Sequence, residues 1–402
     1  DFLRMFSAQV PLYGVGVVLT GVLQAMGRFA WPALTPVLSS LVVMATYAVY
    51  GAMTTGPGDQ AGPAALSVLG WGTTAGVAAL GIRLRPTLHL DRAVAWRALR
   101  LGGAGVWTLV AQQLSVLAVL ALARSGGRAG TVAVYQYTQA VYMLPYAVMA
   151  VPVATVVYPR LAAAFDPGGH GDAGRGDGGY PARAVELAAA STALVAAVAL
   201  AGSGMLMAAS AGAERFFALL TDVDGMGLSL AVLSPGLVGY ALVYQVTRIL
   251  FAASRPRYAA RATALGWATV AGASAVAVRL MAPGGGDGRA TLVALAMGTT
   301  IGMSVAGLGM LAALAMTAGA RALGPTLRTL AVGAPVALAA GIGARALSAR
   351  VDSVPGAIAV AAAGAAGAAA LVMGACMCAG PRLLDAVRPG AAAGPPTTRE
   401  EQ

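Results

Sequence analysis

Charge is scarce in this 402-residue chain. Charged side chains make up 10% of it, hydrophobic ones 58%, and the mean hydropathy is +0.76. A water-soluble domain carries about 25% charged residues, so the two or three soluble domains that length alone would suggest are excluded. Lysine is absent: all 26 basic residues are arginine, against 15 acidic ones, for a net charge of +11. Cysteine is confined to Cys376 and Cys378, two apart in one apolar run, so there is no disulfide framework. The two histidines, His89 and His170, lie far apart in loops and predict no metal site. The HExxH, GxSxG and kinase patterns are missing, and Gly284-Gly285-Gly286 is not followed by the Lys-Ser/Thr of a phosphate loop. Enzymatic chemistry therefore has no carrier, and no cofactor is expected. The 54 glycines show no every-third-residue period, which excludes collagen.

Long apolar runs are abundant. Crossing about 30 Å of hydrocarbon takes roughly 20 residues, and eleven runs approach that length: 5–26, 33–55, 64–84, 98–122, 131–158, 184–210, 228–252, 259–281, 290–317, 328–347 and 356–379. They are long and continuous rather than alternating, which predicts an all-α polytopic membrane protein and not a β-barrel. Alternate loops differ in charge. Seventeen arginines, among them Arg28, Arg83, Arg85, Arg92, Arg97, Arg100, Arg160, Arg255, Arg257 and Arg321, fall on one side; seven, among them Arg128, Arg215, Arg289 and Arg345, fall on the other. The richer side is cytoplasmic by the positive-inside rule. Arginines scattered through short loops do not form a nucleic-acid surface. Residues 166–183 form a glycine-rich cytoplasmic connection, and 214–224, with Phe216-Phe217, read as a short interfacial helix.

A repeat is visible in the spacing. An offset of 227 aligns Ser254-Arg255 with Gly27-Arg28 and carries the run starts 228, 259 and 290 to 1, 32 and 63, beside the starts of the first three runs. Six runs, from 98 to 317, form one repeat, and the first three match the last half of another. The expectation is two parallel six-helix lobes, the first lacking about three helices. A start at Asp1 rather than Met, with no signal peptide, fits that expectation. The divisions are 1–97 (second half of the N-terminal lobe and a cytoplasmic connection), 98–320 (the six-helix lobe), 321–381 (two additional helices) and 382–402 (a cytoplasmic tail).

The run 131–158 carries the most chemistry. Pro145 and Pro152 withhold amide bonds from the carbonyls of Val141 and Val148, which in lipid need another partner or a wet cavity. Gln136, Gln139 and Thr138 stand at membrane depth, and Tyr135, Gln139 and Tyr142 share a helical face. Two readings stay open: a bent, cavity-lining helix that contacts a polar ligand, or a kink with interhelical hydrogen bonds. Gln112, Gln113 and Ser115 can join the same cavity or bond to neighbouring helices. Arg248, inside the run 228–252, can snorkel to the headgroups or grip a diphosphate with its fork. Arg255 and Arg257 make that mouth basic, with Arg28 as the repeat-related counterpart.

Three stretches resemble the MurJ/MviN family of lipid II flippases: Gly21 to Phe29 followed by Pro32 to Leu38; Leu144-Pro145-Tyr146 through Val151-Pro152 to Tyr158-Pro159-Arg160-Leu161; and Arg248 to Ala252 with Arg255. The lysine-free, alanine-rich style is similar to actinobacterial members. The resemblance implies a two-lobed fold of the multidrug/oligosaccharidyl-lipid/polysaccharide exporter superfamily, in which the eleven runs stand for helices four to fourteen of fourteen. It implies alternating-access movement of undecaprenyl-diphosphate-linked peptidoglycan precursor across the cytoplasmic membrane. The expected partners are lipid II, membrane lipids, and cell-wall synthesis or division proteins. The candidate substrate-binding residues are then Gln139, Gln136, Tyr142, Arg248, Gln113, Arg28 and Arg255. Where many members carry an Asp-Arg pair before the proline, this chain has Gln139-Ala140, and the run 98–122 lacks the acid that helps bind sodium in some members. The competing classes are a cation-coupled small-solute or multidrug exporter and a transport-inactive scaffold for cell-wall proteins. An exporter would be expected to hold buried acids, and none falls in the middle of a run.

Overall fold

The computed structural model describes residues 2–9, 11–16, 30–53, 62–78, 92–165 and 180–380, with side chains of the helix that starts at Arg92 described from Val106 onward. Arg28, His89, His170, most of the 166–183 connection and the tail 382–402 lie outside the described residues, as does the Gly21–Phe29 stretch. The described parts are helical and pack as two units, 1–92 and 93–402.

In the first unit, α1 (Phe2–Ser7), α2 (Ala30–Met53) and α3 (Pro63–Ala78) are joined through small and hydroxyl residues. Thr74 Oγ1 donates to Met5 O at 3.1 Å and accepts from Gln9 Nε2 at 3.0 Å. Gly76 lets Val43 and Ser39 approach within 2.9 and 3.2 Å of where a Cβ would stand. Helices in lipid gain little from apolar burial against one another, so close backbone approach and hydroxyl bonds hold them.

The second unit contains α4 (Arg92–Gly126), α5 (Thr131–Ala164), α6 (Ala182–Ala218), α7 (Met226–Leu233), α8 (Gly236–Ala252), α9 (Pro256–Met281), α10 (Gly288–Ala318), α11 (Gly324–Ala349) and α12 (Val354–Ala379). The alanine-rich α6 is its centre: Ala193, Ala196, Ala197 and Ala201 are fully buried, and α7, α8, α11 and α12 pack around it. The α9–α10 seam brings Gly298 against Ser274 and Gly302 against Val270, four residues apart on one face of α10. The expected interfacial helix at 214–224 is corrected: 214–218 continue α6, whose end is tied down by Arg215 donating to Ala349 O at 3.0 Å and to Val351 O.

Among the described residues, eight helices are long and apolar enough to cross a membrane, and nine if the bent pair α7–α8 is one span. These correspond to nine of the eleven expected runs; the other two, 5–26 and 64–84, extend into residues outside the description. The run 228–252 is not one straight span. It breaks at Ser234-Pro235 with a 47° bend. Pro235 has no N–H to give Ala231 O, and Ser234 Oγ donates there instead at 2.8 Å. The prolines of α5 act differently. The helix continues through them, with a π turn over Tyr146–Ala150 in which the N–H of Val151 donates to Tyr146 O.

Loops assigned to one side by charge gather at one end. Arg128 pairs with Asp222 at 2.5 Å and Arg289 with Asp224 at 3.5 Å, drawing together the α4–α5, α6–α7 and α9–α10 connections. At the other end, Tyr180 donates to Ala253 O at 3.0 Å and stacks edge-on to Phe165 at 5.2 Å.

Candidate functional site

Helical spacing lays out the polar positions of α5. Gln139 Nε2 donates to Tyr135 Oη at 2.6 Å, one turn away, so the pair satisfies itself at membrane depth. Gln139 is half-buried and Gln136 exposed. Tyr142, one turn further on, points inward: it is fully buried in a cluster with Leu206, Met226, Leu230 and Leu237. Thr138 is also buried and donates to Val134 O at 2.7 Å. The sequence-predicted face thus divides into an outward glutamine, a half-buried one and an inward tyrosine.

Beyond Gln139 the α5–α8 seam becomes aromatic. Tyr146 stands edge-on to Tyr240 at 4.8 Å and to Tyr244 at 5.6 Å. Tyr240, Tyr244 and Arg248 recur every four residues and form one stripe on α8. The Arg248 guanidinium lies 4.3 Å over the Tyr244 ring and 5.4 Å over that of Tyr158. It donates to Tyr244 Oη, to Ala154 O at 3.3 Å and to Thr155 Oγ1 at 3.4 Å. The ring faces contribute cation–π attraction, and the oxygens fix the plane of the fork. Every one of these partners is neutral. A half-buried cation oriented by neutral groups keeps its charge available for an anion, and the low dielectric strengthens that attraction.

The remaining predicted residues are dispersed. Ala154 lies about 22 Å along α5 from Gln139 at 1.5 Å per residue, so Gln139 and Arg248 do not share one pocket. Gln113 is exposed on α4 among the exposed Leu109, Val110, Leu114 and Leu117. Arg255 is exposed at the N-cap of α9, and its backbone N–H donates to Leu250 O at 2.7 Å.

Sequence reasoning passed over the tyrosines of the seam, although the four-residue spacing of 240, 244 and 248 was a usable signal. It also passed over Gln245, fully buried, whose Nε2 donates to Ser191 Oγ at 3.0 Å and links α8 to α6. In the charge pattern Arg345 reads only as a loop arginine. It donates to Ser210 Oγ at 2.6 Å and Gly227 O at 2.8 Å and, with Arg215, clamps the α11–α12 hairpin to α6.

A family model described as "Lipid II flippase MurJ" matches residues 1–350 of the chain. The solved structure "Lipid II flippase MurJ, inward closed conformation" is similar to it in fold, with a TM-score of 0.59 at 15% sequence identity; the match covers 92% of this chain and 73% of that one.

Proposed function

The chain belongs to the lipid II flippase MurJ family, and from that premise we propose how its residues serve the transport. It is a multi-pass protein of the cytoplasmic membrane, a transporter and not an enzyme, and it moves lipid II across that membrane. The movement is alternating access between two lobes, 1–97 and 98–320, with the hairpin 321–381 at the side and 382–402 as a cytoplasmic tail. Counting the runs outside the described residues, the chain contributes eleven transmembrane helices. Gln136 and Gln139 on α5 and Gln113 on α4 offer amides to the sugar–peptide head. Tyr142, buried behind Gln139, acts as a positioning residue. Arg248, with Arg255 a few residues further along the chain, meets the diphosphate; Arg28, outside the described residues, takes the same role only as the repeat-related arginine of the sequence. Cell-wall synthesis or division proteins are the partner class this activity implies.

The observation that carries the reading is the guanidinium of Arg248, half-buried in a membrane span and held in plane by Tyr244, Tyr158, Thr155 and Ala154 O, all uncharged. Among the described residues no carboxylate pairs with it, and an intramembrane cation in that position is costly unless an anion visits it. A diphosphate suits its planar fork, which an ammonium does not reproduce. The test is lipid II affinity of the purified Arg248→Lys variant at matched folding and salt. Affinity should fall by about 1–2 kcal/mol, the scale of one charge-assisted hydrogen bond. Equal affinities would return Arg248 to a purely structural role, that of joining α8 to α5.

A further inference from the structure

The break between α7 and α8 poses a hydrogen-bonding problem that the protein solves only in part. The last turn of a helix leaves four carbonyls without intrahelical partners. Here Leu230 O accepts from Ser234 N at 3.0 Å, Ala231 O from Ser234 Oγ at 2.8 Å, and Val232 O from Thr300 Oγ1 at 2.6 Å. For the fourth, Leu233 O, the usual helical donor would be Leu237 N–H, which turns to Ser234 O at 3.2 Å. Facing the same break is the Tyr142 hydroxyl. It is fully buried, finds no hydrogen-bond partner among the described residues, and lies 3.4 Å from where a Cβ on Gly236 would stand. Thr300 Oγ1 is 3.2 Å from that same point and Thr300 Cα 3.0 Å, so a Cβ at 236 would press on α10 and only touch the Tyr142 hydroxyl.

A donor without an acceptor and a helix end short of a donor, together at a bend, call for a bridging group. Nothing charged is among them, so the bridge is neutral and small. We propose that the α7–α8 break binds a buried water through the Tyr142 hydroxyl, and that this water lets the break act as a hinge in the membrane. Buried waters normally make about three hydrogen bonds to groups that otherwise lack them, and broken spans persist in lipid only where such partners re-satisfy the backbone. A water can exchange one acceptor for another as the 47° angle changes, which a fixed side chain cannot do.

The test needs no lipid II, so its outcome is independent of the transport reading. Radiolytic hydroxyl-radical footprinting of the full chain in nanodiscs modifies side chains beside bound waters even when bulk solvent does not reach them. Tyr142 should be labelled at a rate comparable to half-buried Tyr135 on the same helix; an unlabelled Tyr142 overturns the proposal. In the second arm, Tyr142→Phe keeps the ring and removes the hydroxyl. If the water holds the break, amide exchange at residues 233, 234 and 236–238 should quicken about tenfold, the factor that matches one lost hydrogen bond. Unchanged or slower exchange overturns it, because deleting a truly unpartnered hydroxyl is neutral or stabilising.

Discussion

Helices α5 and α6 are consecutive, 34 and 37 residues long, and similarly apolar, yet they do opposite things. Of the most apolar stretch of α6, 78% is buried inside the protein; of α5, 22%. The buried helix is rich in Ala, with Gly and Ser along it, and has no internal proline. The peripheral one has Pro145, Pro152 and Pro159, a π turn and two intramembrane glutamines. The difference shows where each kind of irregularity is tolerated. A helix touched on all sides must be narrow and regular, since every neighbour reads its backbone surface. A helix touched on one side can carry backbone defects and polar groups on the other, and there the chemistry of the seam is found.

Substituting matched positions tests this contrast most directly. Ala197→Leu on α6, where the side chain is fully buried, should destabilise the protein by about 3 kcal/mol through overpacking. Val148→Leu on α5, which adds one methylene at an exposed position, should stay within about 0.5 kcal/mol. Thermal unfolding in detergent reports both, and similar shifts would break the distinction. A smaller effect, on transport instead of folding, is expected from Gln139→Leu. It removes the bond to Tyr135 and the amide offered to the head, and should slow lipid II movement about fivefold, the worth of one hydrogen bond. Normal movement at normal abundance would make the polar face of α5 structural only. The smallest effect calibrates the others. Ser254 is the one non-glycine residue with positive φ (57°) among the described residues. It closes α8 with its N–H on Phe251 O while Arg255 N–H reaches Leu250 O, a left-handed helix stop. Ser254→Gly should raise stability by about 0.5–1 kcal/mol in the same unfolding assay.

That last position also shows how far a sequence can be read. The repeat alignment pairs Ser254 with Gly27, which lies outside the described residues; at Ser254 itself the structure shows the left-handed stop at which glycine is favoured, and the letters alone did not show it. The spans were legible because apolar length is a local property of the chain. The break at Ser234-Pro235-Gly236 was not, although the residues are those of a break. In Pro145 and Pro152 the same residue type leaves α5 continuous, and what decides between the two outcomes is the neighbour that can accept or donate: Thr300 at one site, the π turn at the other. Among the site residues, Gln139 and Arg248 could be chosen because polar groups in apolar runs stand out. The cross-helix partners of Arg248 could not, because Tyr158, Thr155 and Ala154 are about ninety positions away from it and ordinary in composition. Tyr142 was chosen for a face it shares with Gln139, while its ring turns into the packing of α7 and α8.

The π turn in α5 has a consequence for phase. Each residue of an α-helix turns the chain by about 100°, so one extra residue wound into a single turn rotates everything after it by that angle. Counted in ordinary 3.6-residue steps from Tyr142, the buried face would pass near residues 149, 153, 156 and 160. The fully buried residues after the turn are instead Ala150, Ala154, Val157 and Leu161, about one position later. The turn is thus a gear between the two halves of the helix. A relative that lost one residue from 146–150 would keep its hydropathy, its length to within 1.5 Å and its prolines, yet would swing Tyr158 away from Arg248. An alignment would register that loss as a one-letter gap, while the seam would lose the ring that holds its cation.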